Sequence, residues 1–260
     1  MSVASFQQAL CDLIASPRLC LALRANPQDT LAGYQLSARE RTRLMEVVWQ
    51  RGMSTNCTLY RSNRVTPIYT LLNFTCRALG DQLAAVLDEF WDAKEYQDGQ
   101  FHSEIERFSA FLRQRIADGG IRSPFAAELL QFELALNALE FVPRKSLLRE
   151  FANLAPLRPD TPCRLHPLAR LVHFRHDPEI VLEAAAHGVM PPPNMAEQDA
   201  LVVVSVISDR APSILRLADD AYHTLFDAGA MVEPLTPRCA PALAAAGLLV
   251  ASVAAARIEA

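Results

Sequence analysis

The stretch "ALVVVSVISDRAPSILRL", residues 200–217, decides the fold class. From Ala200 to Asp209 the chain is almost continuously apolar and rich in valine, the pattern of a β-strand. Pro212 interrupts it, and "PSILRL", 212–217, reads as a second strand. Working outward, "ARLVHFRHD", 169–177, is a third strand, "PEIVLEAAAHG" a helix and "VMPPPNMAEQD" a loop with three consecutive prolines. Downstream, "ADDAYHTLFDAGA", 218–230, and "TPRCAPALAAAGLL", 236–249, are helices, the second ending near Gly247 before a short strand, "LLVAS". This end is a small α+β unit.

Its last part contains 18 uncharged residues between Arg238 and Arg257. Only three of them are leucine, and Pro241 and Gly247 interrupt the run, so a buried helix and strand fit better than a membrane span.

Everything before the proline-rich linker "LAPLRPDTPCRLHP", 154–167, has helical periodicity. "ASFQQALCDLIAS" and "PRLCLALRAN" are two short helices, with Pro17 opening the second. In "LSARERTRLMEVVWQRG", Ser37 and Glu40 form a capping box, Leu44, Val47 and Val48 the apolar face, and Gly52 the stop. "FHSEIERFSAFLRQRIADGG" offers Ser103 and Glu106 as a second capping box and the stripe Phe101, Ile105, Phe108, Leu112 and Ile116, ended by Gly119 and Gly120. "SPFAAELLQFELALNALEF" has Ser123 as cap, Pro124 in the first turn, and Phe125, Leu129, Phe132, Leu136 and Leu139 along one face.

The stretch "LYRSNRVTPIYTLL", 59–72, is less ordinary. As a helix it lines up Tyr60, Arg64 and Pro67 on one side, and Pro67 has no N–H for the carbonyl of Asn63. It is either a kinked helix with local polar bonds or a recognition surface of Tyr60, Arg61 and Asn63.

The net charge of −4 is unevenly spread: residues 1–159 hold 18 basic and 17 acidic side chains, residues 160–260 hold 7 and 12. An acidic C-terminal part opposes a phosphate backbone, and "CAPALAAAGLL" has no charge for a recognition helix. That argues against the alternative function, a winged-helix DNA-binding regulator. The six cysteines lack zinc or redox spacing, and "MSVASFQQALCDLIAS" lacks a basic leader, so reduced, mostly buried thiols in a cytoplasmic protein are expected.

Catalytic chemistry finds no foothold. His173 and His176 point to opposite faces of a continuous strand and converge only if it ends between them. No GxSxG elbow, glycine-rich phosphate loop or activated cysteine occurs, and Asp219 and Asp220 sit where a helix opens. An enzyme using His173 and His176 is the remaining catalytic alternative.

The order of "LYRSN", "ALGDQLAAVLDEFW", "FSAFL" and "SPFAAELLQFELALNALE" resembles a family of helical proteins once labelled DNA-binding domains. Its members accompany TIM-barrel iron enzymes that modify ribosomally made peptides. The layout is most similar to the MbnC-type partner proteins of methanobactin biosynthesis. The family's usual "FP" pair is absent here, where "NFTCRALGD" stands. Residues 200–249 resemble the PqqD-like domain, which holds a precursor's leader peptide as an added strand. Residues 1–52 resemble a LigA-like helical module.

Together these likenesses imply three segments: the module at 1–52, a helical partner-binding domain at 53–155 and a three-stranded, winged-helix-like peptide-recognition domain at 160–260. They imply two partners, an MbnB-like iron enzyme and an MbnA-like precursor leader, with iron in the enzyme and no cofactor in this chain. Ser213, Ile214, Leu215, Arg216 and Leu217 would be the peptide-binding edge, flanked by the helix from about 239 to 246. Proline at Leu215 is expected to remove a ladder donor there.

Overall fold

The computed structural model describes residues 3–92, 101–151, 157–207, 212–217, 236–238 and 240–252. The chain is α+β, with helices first and a small sheet late. It divides into two compact units, Met1–Asn73 with Asp81–Asp118, and Phe74–Gly80 with Gly119–Ala260. These divide the chain differently from the three sequence segments: the first unit spans the 52/53 boundary, and the second takes in the helix around residue 130.

In the first unit, α1 (Val3–Ala15) and α2 (Pro17–Ala25) meet at Ser16, whose hydroxyl accepts the Leu19 N–H at 3.2 Å. Pro17 occupies the first turn of α2, where a missing N–H costs nothing. A short α3 (Pro27–Thr30) leads to α4 (Ala38–Val47), which opens with the Ser37–Glu40 capping box in full. Gly52 does not stop this helix. The chain turns at Val48 to Gln50, and Gly52 lies in the first turn of α5 (Arg51–Leu71). Leu13, Leu23, Leu31, Leu44, Val48, Met53 and Cys57 make one buried cluster. The unit is completed by α7 (Leu83–Asp92) and α8 (Phe101–Ala117), where Phe90 meets Phe108 edge-on at 5.3 Å. Ile105, Phe108 and Leu112 are buried as their spacing requires, but Ser103 lies inside α8 and is no cap. Glu106 instead faces His102 one turn earlier, at 3.2 Å.

The second unit is built on a three-stranded antiparallel sheet in the order β2 (Ala169–Phe174), β3 (Ala200–Ser205), β4 (Ser213–Arg216). All six residues of β3 are buried. One face of the sheet, with Ala169, Leu201 and Val203, packs with Leu243, Leu248 and Leu249 from the C-terminal segment. The other packs on α9 (Ala126–Glu140), where Phe132 meets Phe174 at 6.1 Å. Strand β3 is therefore apolar at every position because each face has its own cover. Burial of each valine contributes roughly 1.5–3 kcal/mol.

Helix α9 begins at Ala126 with Phe125 at its cap and no side-chain cap bond, so Ser123 is not the cap the sequence suggested. Just before it, Gly119 at φ +71° takes the left-handed turn that ends α8. Helix α6 (Asn73–Leu79) belongs to this unit from Phe74 onward. It also contains α10 (Arg144–Phe151) and α11 (Pro178–Ala186), the latter capped by Asp177. The proline-rich linker is not wholly irregular: it contains β1 (Cys163–Leu165), paired with β5 (Leu249–Ala251). A helix, α12 (Pro241–Ala245), then Gly247 at φ +68° and β5 match the sequence reading of that end. The helix expected at 218–230 lies outside the described residues. No described helix is long and apolar enough to cross a membrane.

Candidate functional site

Strand β4 is paired on one side only among the described residues. Its register with β3 sets Ser213 opposite Ser205, Ile214 opposite Val204, Leu215 opposite Val203 and Arg216 opposite Val202. The Leu217 N–H donates to the Leu201 carbonyl at 2.9 Å. Antiparallel pairs alternate between bonded and non-bonded, so 213, 215 and 217 turn their backbone groups toward β3. The N–H and C=O of Ile214 and Arg216 consequently face outward. Leu215 is thus a ladder donor, and its bond is made to β3.

The side chains around this edge differ by face. Leu215 is half-buried against the cluster that holds Leu243 of α12, with Ala244 and Ile207 partly buried beside it. On the opposite face Ile214 is 51% exposed. Arg216 is held by the N-cap Asp177 at 2.8 Å, and the Ser213 and Ser205 hydroxyls share a hydrogen bond at 2.6 Å. Leu217 is buried in the core. A strand laid along β4 would meet the N–H and C=O of Ile214, a half-buried leucine on one face and an exposed isoleucine on the other.

The other expected surface lies on α5, within the first unit. Asn63 is exposed, while Tyr60 and Arg61 are half-buried. Arg61 pairs with Asp88 at 3.0 Å and lies over the Trp91 ring at 5.1 Å. The buried stripe of α5 runs through Met53, Cys57, Arg64, Pro67 and Ile68, and Arg64 takes a position that its neighbours give to apolar groups. Its Nε donates to Glu104 at 2.8 Å, and Phe90, Trp91 and Tyr60 surround its guanidinium at 5.4–5.7 Å. Arg107 also reaches Glu104, at 3.1 Å. Burial lowers the Arg64 pKa and the Glu104 charge opposes that shift. The pair is a core ion pair of the helical unit, costly to break from one side.

Two further buried carboxylates, both on α9, went unseen in the sequence. Glu133 accepts the Phe74 N–H at 2.6 Å, the Thr75 N–H at 2.9 Å and the Thr75 hydroxyl at 2.6 Å, closing the start of α6. Glu128 accepts the Arg175 N–H at 2.8 Å and lies 3.0 Å from His176 Nδ1, fixing the chain as it leaves β2. Burial pushes both carboxyls above the ordinary range, against the hydrogen bonds that favour the charged form. The signal for both was a charged residue inside an otherwise apolar helical run.

The histidines do not combine. Strand β2 does end between His173 and His176, the condition for convergence, yet His173 faces Asp199 at 2.7 Å and His176 faces Glu128. His166 is buried, and its Nδ1 accepts the Leu168 N–H at 3.0 Å. No group of three or more His, Cys, Asp or Glu is placed to hold a metal among the described residues. The described cysteines are not in disulfides: Cys20, Cys57, Cys76 and Cys163 are buried and Cys11 is exposed.

No family model matches this chain, and no curated protein matches it. Fold and site define a class: an α+β chain with a helical unit and a three-stranded sheet in which β4 is paired on one side among the described residues.

Proposed function

We propose that this chain is a non-catalytic subunit of a complex that modifies a ribosomally made peptide. The helical region docks an MbnB-like TIM-barrel iron enzyme, with Tyr60, Arg61 and Asn63 in the contact. The edge of β4, from Ser213 to Leu217, takes the leader of an MbnA-like precursor as an added strand. The enzyme's iron and oxygen then convert cysteines of the core peptide to oxazolone and thioamide groups. The subunit contributes proximity: a tethered peptide reaches an effective concentration on the millimolar scale.

The observation that carries this reading is the outward backbone of Ile214 beside the half-buried Leu215. Its support is that this edge falls where the PqqD-like resemblance puts the peptide. The acidic C-terminal part disfavours nucleic acid as the alternative ligand.

Co-expression with a TIM-barrel iron enzyme of the same genome, followed by size exclusion, tests the proposal. Co-elution at micromolar concentration, with cysteine modification only when both proteins are present, is expected. Separate elution, or modification by the isolated chain, overturns it.

A further inference from the structure

We propose that Cys20, Cys57 and Met53 form a site for a soft monovalent d10 cation, of the Cu(I) and Ag(I) class, in the first unit. This goes beyond the docking reading and does not rest on it.

The site originates in a proline. In α1 the carbonyl of Leu13 would ordinarily accept from the residue four places on, but that residue is Pro17, which has no N–H. Two thiols replace the missing donor: Cys20 Sγ donates to Leu13 O at 3.0 Å and Cys57 Sγ at 3.5 Å. One orphaned carbonyl thereby draws together two cysteines that are 37 positions apart. Met53 stands one turn before Cys57 on the same buried stripe of α5 and lines the same cavity, about 330 Å³ in volume. Exposed Leu21 and Arg24 form part of its rim.

The donors select the ion. Two thiols and a thioether, joined in the lining only by the neutral hydroxyls of Ser54 and Thr58 and by no imidazole or carboxylate, disfavour hard cations and favour a soft one. Arg24 and Arg61 also line the cavity. Two guanidiniums oppose a divalent ion, whereas a monovalent ion on two thiolates is a net anion that they stabilise. Burial and the neighbouring Cys57 push the Cys20 thiol up to about 12, with Arg24 acting in the opposite sense. The entering ion must therefore displace a proton, as thiophilic metals do.

The test is anaerobic titration of the reduced full-length chain with Cu(I) against a competing chromophoric chelator. One equivalent is expected to be retained. Cys20→Ser or Cys57→Ser should weaken binding by more than the roughly 10–100-fold that loss of a supporting outer-shell group costs, and Met53→Leu by about tenfold. Cys11→Ser and Cys239→Ser should leave it unchanged. Serine can still donate to the Leu13 carbonyl, and circular dichroism checks that the helices persist. X-ray absorption on the wild-type complex decides independently of any variant: a sulfur-only first shell supports the site. Nitrogen or oxygen ligands, or undiminished binding by the Cys20→Ser/Cys57→Ser double variant, overturn it.

Discussion

Strands β3 and β4 lie side by side in one sheet and do opposite work. Strand β3 is paired on both edges and covered on both faces, so its six residues are fully committed to the interior. Among the described residues, strand β4 is paired on one edge, and its burial fades from Leu217 outward to Ser213. The difference is one of remaining capacity. A strand with every backbone group satisfied can only stabilise, while a strand with unpaired donors and acceptors can also recognise. Length and composition follow from this: β3 is a run of valine and leucine, and β4 mixes serine, isoleucine, leucine and arginine.

The largest expected effect lies in β3. Val203→Asp places a carboxylate between two apolar layers and should cost the second unit at least ~3 kcal/mol, read from urea unfolding. Next comes Leu215→Pro, which removes an inner ladder bond; a loss of about 2 kcal/mol is expected by the same measurement. Its neighbour Ile214→Pro removes an outward donor instead. It should leave the thermal midpoint within a few degrees while weakening leader binding about tenfold by calorimetry, close to 1.4 kcal/mol. Equal losses of stability in the two proline variants would erase the distinction between inner and outer positions.

A subtler test concerns α9, the helix that covers β3. Burial raises the Glu133 carboxyl, so the folded chain takes up a proton more readily than the unfolded one. Its contribution to stability is full below the unfolded value and is lost as pH rises through the folded one. As pH falls from neutral toward the ordinary carboxylate range, the wild type should gain stability relative to Glu133→Gln. Urea midpoints of both proteins across that range check the sign. The smallest effect belongs to Arg216→Ala, which breaks a partly exposed pair with Asp177 and should cost between 0 and ~1 kcal/mol.

Periodicity made the strands, the helical N-terminal region and the short terminal helix legible, because apolar spacing is a local property that burial enforces. Caps were legible only where no competing continuation existed. Ser37 caps α4, but Ser103 is inside α8 and α9 starts beyond Ser123. The buried carboxylates were hidden for another reason. Glu128 and Glu133 serve partners 47 and 59 positions away, so the apolar run around them marks their burial but not what they bind. Arg64 likewise reaches Glu104 across 40 positions. The Cys20–Cys57 pairing follows from Pro17, a residue visible in sequence, but its consequence needed α5 to be placed against the end of α1. Which groups of β4 face outward required the register, which alternation alone does not supply.

Residue-resolved amide exchange, with and without the precursor leader peptide, tests peptide capture at β4 most directly. The account predicts new protection at the amide of Ile214, with that of Leu215 already slow and unchanged. Protection confined to other elements, or none at Ile214 under saturating peptide, would contradict it.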